Sequence, residues 1–421
     1  MQKILADGVS FIRRQPREWK ITVTRTSTNR FFYQMIVPYL SVYIFALGAE
    51  GTELGLVNSI GMAVAGLLGP FLGWIVDRTG VKRIYLGGIA LLGISYLIYG
   101  VAGSWKVIII AMIGYWLGMT ASMQSCSVIC GNSLVNEDRV TAMSCCETFA
   151  AGLLGMIGPM VGAVLVSGFG GITVQGIRPL FFIAFAGTFL TFLFILLALP
   201  DTRWGQPDNT RPNFLKDMSQ VFKQGRYLKR WIMISSINSL PVGMVLPFTQ
   251  VWAREYKGAD EYVLGAMVTG MALIPLVFGI VMGRLADRIG RKKVLYIAMP
   301  IFWVAQLMLI WAPNHTVLIA AGSLGGFFHI IAVTSGAIGY ELVPKNQMGR
   351  WMGTLRFFRG IFGATAIFLG GLIWDFVGPP FVFLTIIALD LFIRLPLLIG
   401  MPETLTLEKG TQSGELEDPS Q

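Results

Sequence analysis

Ionisable residues are scarce in this chain, and the few that interrupt its long apolar stretches are the ones able to do chemistry. His329 stands inside one apolar run, and Arg356 and Arg359 stand three apart in the next. A charge at mid-bilayer costs on the order of 2.5–3.5 kcal/mol on insertion scales, so each such group needs a partner or a task. A histidine titrates near physiological pH and could carry a proton; alternatively it stays neutral and hydrogen-bonded, orienting a solute or packing. The two arginines could meet an anionic solute. They could equally snorkel to lipid phosphates or pair with Glu147. Glu147 lies close to the end of its run, which suits a gating salt bridge better than binding at the midplane. Asp390 and Arg394 are four apart and can pair within one helix. Cys126, Cys130, Cys145 and Cys146 flank one short polar turn. They read as small buried residues in a reducing compartment, with a soft Cu(I) site as the other reading. No metal site or cofactor is expected. With only two histidines and no acidic cluster, the chain offers no catalytic set, so an enzyme is not expected.

The elements that must position these groups are apolar throughout. Of 421 residues, 54% are hydrophobic and 13% charged, and the mean hydropathy is +0.65. Soluble domains carry about 25% charged residues. Twelve apolar runs occupy 26–49, 54–76, 84–103, 107–134, 141–167, 178–199, 231–252, 262–286, 294–312, 316–342, 351–374 and 380–401. Most lack a polar face over the roughly 20 residues needed to cross a bilayer, which excludes a large soluble enzyme. They also lack the period-two alternation of a membrane barrel, so helices are predicted. The formal charge of +10 does not point to nucleic acid, because the basic residues fall in alternate loops between the runs. By the positive-inside rule those loops and both termini are cytoplasmic.

The division follows. Residues 1–25 form a basic segment in which Phe11 and Trp19 are interleaved with Lys and Arg, suited to an anionic membrane surface. Arg13-Arg14 resembles a twin-arginine export signal, but no small-residue cleavage site follows. Residues 26–199 hold six runs, 200–230 is a polar cytoplasmic linker, and 231–402 holds six more. Residues 403–421 form an acidic tail without apolar periodicity, expected to be disordered.

The halves share motifs. Gly73-Trp74-Ile75-Val76-Asp77-Arg78-Thr79-Gly80-Val81-Lys82 follows run 2, and Gly283-Arg284-Leu285-Ala286-Asp287-Arg288-Ile289-Gly290-Arg291-Lys292 follows run 8. Leu199-Pro200-Asp201-Thr202 and Met401-Pro402-Glu403-Thr404 close runs 6 and 12. Recurrence at half the chain length marks an internal duplication.

This doubled turn resembles the signature of the major facilitator superfamily of secondary transporters. The resemblance covers all twelve runs. It implies that Gly73, Asp77, Arg78, Gly80 and Lys82 in one half, and Gly283, Asp287, Arg288, Gly290 and Arg291 in the other, belong to a cytoplasmic gate. An Asp at a helix end can accept hydrogen bonds from the unpaired N–H groups that open another helix. The implied partners are the start of run 11 for Asp77 and of run 5 for Asp287. The resemblance also pairs Arg291 with Glu341. The first half has Val81 and Cys130 in those places, so the relay is expected only in the second.

The same resemblance puts runs 1, 2, 4, 5, 7, 8, 10 and 11 around a central cavity. That brings His329, Arg356, Arg359, Glu147, Gln34, Tyr115, Gln124 and Asn238 forward as substrate or coupling residues; for the uncharged ones, helix packing is the alternative. Gly158, Pro159 and Gly162 resemble the Gly-Pro-x-x-Gly segment of the antiporter branch, yet run 1 has no embedded acid before Glu50 and run 4 has no Arg.

The expected protein is therefore an all-α membrane protein with twelve transmembrane helices in two pseudo-symmetric six-helix bundles. It is expected to be a monomeric secondary transporter of the plasma or inner membrane. It would move a small organic solute by alternating access, with proton coupling if His329 titrates. The alternative is a drug or metabolite efflux antiporter. No Gly-x-x-x-x-Gly-Lys-Ser/Thr nucleotide motif is present, which argues against ATP drive within the chain. A transporter-like sensor would be expected to carry a large soluble domain.

Overall fold

The computed structural model describes residues 11–134, 153–200, 226–341, 348–401 and 403. Among these residues the regular structure is helical and no strand occurs. The helices are α1 (Arg17–Ala46), α2 (Gly51–Thr79), α3 (Val81–Val101), α4 (Trp105–Ser133), α5 (Leu153–Gly168) and α6 (Val174–Ala198). After the linker, α7 runs in three pieces, Arg226–Ile237, Leu240–Met244 and Leu246–Glu255. Then come α8 (Glu261–Ile289), α9 (Arg291–Trp311), α10 in two pieces (His315–Leu324 and Phe327–Glu341), and α11 (Met348–Phe376). The last, α12, spans Pro379–Leu389, a π turn at Asp390–Arg394, and Leu395–Ile399.

Nine of these are long and apolar enough to cross a membrane among the described residues: α2, α3, α4, α6 and α8 to α12. The other three depart for visible reasons. The first half of α1 is polar, with Thr22, Thr24, Arg25, Thr26, Asn29 and Arg30. The described part of α5 is a short apolar helix. In α7, Pro241 and Pro247 each remove a backbone donor near a break in the helix. Phe376, Phe392 and Leu197 are about four-fifths exposed, as side chains facing lipid must be.

Contacts divide the chain into two units, 1–48 with 67–211 and 49–66 with 212–421. The sequence repeat divides it between runs 6 and 7 instead. The difference is the first half of α2, which joins the second unit because it lies against α11. Their backbones nearly touch: a Cβ on Gly55 would stand 2.9 Å from the Ile367 carbonyl oxygen. Small residues allow such approach, and close backbone packing is a main source of helix association in lipid.

Within the first unit α3 packs against α4 and α6, and α1 against α5 and α6. A buried cluster of Ile21, Val81, Tyr85, Ile89, Ile129, Ile195 and Leu199 closes the end where α2 turns into α3. At the other end the Tyr43 hydroxyl donates to the Tyr99 carbonyl at 2.8 Å, and Arg178 donates to the Ala102 carbonyl at 2.6 Å. In the second unit α8 and α9 pack on the two pieces of α10, and α7 packs on α11. Trp252, Trp374 and Phe383 form an aromatic knot there, and the Trp252 indole donates to the Leu309 carbonyl at 3.0 Å.

Candidate functional site

Each signature turn is built on a glycine at positive φ, +91° at Gly80 and +110° at Gly290. Only glycine adopts these conformations without strain, so the helix stops and the next begins at once. The lysine two residues on then does the same thing in both units. Lys82 donates to the Leu199 carbonyl that ends α6. Lys292 donates to the Ile399 and Met401 carbonyls at the end of α12, each at 2.8 Å. Leu199 and Met401 are equivalent in the repeat, so the lysine ties the last helix of each unit to the turn, satisfying carbonyls that a helix end leaves open. Glu403, expected in the disordered tail, accepts from the backbone N–H groups of Arg291 at 2.9 Å and Lys292 at 3.2 Å. It therefore caps α9, where an acid also complements the helix dipole.

The asymmetry between the turns has a packing basis. Val81 is 3% exposed within the apolar cluster, and Cys130 is buried with Trp19 and Leu134. Arg291, in the matching place, forms an ion pair with Asp287 one turn earlier in the chain. Asp287 and Arg288 are exposed, and so is Gly283, which has no described atom within 4 Å of where a Cβ would stand. Glu147 lies outside the described residues, as do the side chains of Gly73, Asp77, Arg78, Glu341 and Arg356.

At the far end of α2 from its signature turn, a contact appears that was not read from the sequence. Asp375, next to last in α11, accepts from the Gly51 N–H at 3.0 Å, the Thr52 N–H at 2.7 Å and the Thr52 hydroxyl. It caps the start of α2 within the second unit. A carboxylate at the end of its own helix is unfavourable against that helix's dipole, and facing another helix's N-terminus removes the penalty. That placement was the available signal.

The polar residues expected around a solute separate into two groups. In the first unit Tyr33 and Tyr115 stack at 5.8 Å, Tyr96 lies 6.1 Å from Tyr115, and Trp116 lies 6.2 Å from Tyr115. Gln34 and Gln124 are half-buried on α1 and α4. In the second unit Asn238 is buried at the first break of α7. A cavity of about 40 Å³ lies where the second break of α7 meets the break of α10. Thr249, Gln250, Met267, Phe302, Gln306 and Phe328 line it. The Gln250 and Gln306 carbonyl oxygens are buried without a hydrogen-bond partner among the described residues. His329 is half-buried beside Phe328, with ring centroids 5.7 Å apart, and Arg359 is half-buried on α11.

Asp390 and Arg394 do pair within α12, at 3.4 Å, and both are buried. The Trp303 indole of α9 adds a hydrogen bond to Asp390 at 2.9 Å. The sequence placed the ion pair but not this third member, whose reach depends on helix packing.

Two units of long apolar helices, with polar and aromatic groups inside each and with α7 and α10 interrupted in the second, form a multi-pass membrane protein. The sequence model of the Major Facilitator Superfamily matches residues 26–257 and 231–415. The chain belongs to that superfamily and is a multi-pass membrane transporter. Among curated relatives, the multidrug resistance protein MdtG of Enterobacter lignolyticus is 26% identical over 304 residues, 68% of this chain and 69% of that protein. MdtG of Salmonella typhi is 26% identical over 307 residues, 68% of this chain and 71% of that protein. Among solved structures, the nucleoside transporter NupG aligns with a TM-score of 0.73 at 14% identity, covering 91% of this chain and 100% of that one. A POT family transporter in complex with 5-aminolevulinic acid aligns at 0.73 and 13%, covering 91% and 96%. The human organic anion transporter MFSD10 aligns at 0.63 and 16%, covering 91% and 100%. These structural likenesses establish the fold. The protein is a secondary transporter of twelve helices in two halves.

Proposed function

We propose that this transporter moves an amphipathic organic solute across the inner (plasma) membrane by alternating access. It works as a monomer with both termini in the cytoplasm, and it is a carrier, not an enzyme. The observation that carries the solute class is the mixture of amide, hydroxyl, thioether and aromatic groups lining the place where the interrupted α7 and α10 meet, a space that at about 40 Å³ holds a few waters at most and must widen to admit a solute. Broken helices near the midplane expose backbone dipoles to a solute, and apolar walls with a few polar groups suit an amphipathic one. Asp77 and Asp287 latch the cytoplasmic side, each holding the start of a helix in the other half. Export is the second reading, favoured by the MdtG relatives.

The deciding experiment is transport by the purified chain in proteoliposomes, with lipophilic cations and organic anions as solutes, with and without a pH gradient. Solute movement that depends on the protein is expected. Movement of none in either direction would overturn the reading. If His329 carries a proton, His329→Gln leaves solute exchange intact and removes the response to the pH gradient. A response that persists in that variant assigns His329 to packing.

A further inference from the structure

Among the described residues, the interior of the first unit carries positive charge without matching acid. From Trp19 to Ala49 the sequence contains no Asp or Glu, and α3, α4, α6 and the described α5 contain none. Yet α1 places Arg25 and Arg30 in this interior. Arg25 is 3% exposed, and its Nη2 has no hydrogen-bond partner among the described residues. Its guanidinium lies 5.2 Å from the Tyr85 ring centroid, a cation–π contact that offsets only part of the desolvation. Arg30 is half-buried, and its Nε is buried without a partner. Neither guanidinium has a described carboxylate within salt-bridge distance.

Both arginines stand beside tyrosines: Arg30 precedes Tyr33 by three residues on α1 and shares its face, and Arg25 lies over the Tyr85 ring. Tyr96 is 2% exposed, and its hydroxyl has no described partner. The stacked pair Tyr33–Tyr115 adds flat apolar faces beside these donors. The cluster thus offers spare N–H and O–H donors, two fixed positive charges and ring faces, and among the described residues no negative charge. A buried charge left uncompensated is strongly destabilising, so the missing component is an anion.

We propose that the tyrosine–arginine cluster of α1, α3 and α4 binds the anionic group of the transported solute, and that the solute is a planar organic anion such as an aromatic carboxylate. Arg30 is the direct ligand, Tyr33 and Tyr115 hold the planar part, and Arg25 supplies a second positive charge about 7.5 Å away along the helix axis. This rests on the transport reading above and narrows its solute class. The five-donor guanidinium matches a carboxylate, sulfonate or phosphonate in two-point fashion.

The test uses the full chain in nanodiscs of phosphatidylcholine, with 2-naphthoate, its neutral amide 2-naphthamide, and tetraphenylphosphonium as probes read by calorimetry. Naphthoate is expected to bind more tightly than the amide. Arg30→Gln is expected to weaken naphthoate by roughly 10- to 100-fold, the worth of a charge-assisted hydrogen bond, and not to weaken tetraphenylphosphonium, since losing a positive charge does not disfavour a cation. Arg30→Lys should recover part of the loss. Equal binding of naphthoate and naphthamide to the wild-type chain overturns the proposal even if Arg30→Gln does not fold. Repeating the titration with phosphatidylglycerol added separates the sources of anion. Loss of naphthoate binding there assigns the cluster to lipid phosphate and overturns the solute assignment. Counterflow in proteoliposomes keeps the two readings apart. Tetraphenylphosphonium counterflow without naphthoate counterflow sinks the anion site and spares the transporter. Arg30-dependent naphthoate binding without counterflow of any solute does the reverse.

Discussion

Val81 and Gly290 show how much one side chain decides at the signature turns. Val81 is packed among Ile21, Tyr85, Ile129 and Leu199, so an arginine there would force a guanidinium into an apolar cluster. Val81→Arg is expected to restore no relay and to destabilise the chain by about 1–3 kcal/mol from overpacking alone. Thermal unfolding of the purified variant measures it, and an unchanged midpoint would contradict the packing argument. At Gly290 the backbone sits at φ +110° and a Cβ would stand 2.6 Å from the Glu403 carboxylate carbon. Gly290→Ala should cost about 1–3 kcal/mol of backbone strain and also displace the cap of α9. The same unfolding measurement, run beside Gly80→Ala, separates the two contributions, since Gly80 has no neighbour within 4 Å of a Cβ among the described residues.

At the scale of elements, helix ends are held by groups from distant sequence. Lys82 and Lys292 tie α6 and α12 to the turns, Glu403 caps α9, and Asp375 caps α2. Asp77 stands two residues before the end of α2, and Asp375 stands one residue before the end of α11. The two helices, each 29 residues long, thus carry an acid near the C-terminal end, aimed in the Asp375 case at the other's first turn. Removing the Asp375 carboxylate as Asp375→Ala should loosen the first turn of α2 by about 0.5–2 kcal/mol, the usual worth of a cap. Hydrogen exchange of the Gly51–Leu54 amides should quicken by roughly 2- to 30-fold accordingly. Exchange at the wild-type rate would show that close packing against α11 suffices.

At the scale of the whole molecule the question is how the helix ends change partners during transport. Asp287 is paired with Arg291 and exposed, so its ion pair contributes little to stability. If its task is to hold the start of a helix in the other half, Asp287→Asn should leave expression and melting near wild type and slow solute exchange severalfold. Exchange at the wild-type rate in proteoliposomes would remove Asp287 from the gate.

The sequence by itself determined the membrane class, the twelve spans and the duplication, because lipid demands long apolar helices and repeated turns keep their register. It also placed the Asp390–Arg394 pair, which needs only the helical period. Glu403 looked like the start of a tail, since nothing local shows an acid reaching a helix start 112 residues away. Asp375 and the first half of α2 were illegible for the same reason: their contact spans more than 300 residues. The aromatic contacts of Tyr33, Tyr96 and Tyr115, the arginine nitrogens without a described hydrogen-bond partner and the cavity between two helix breaks depend on which faces meet. Periodicity fixes what a helix presents on each face; only tertiary packing fixes what that face meets, and in a transporter the chemistry lies there.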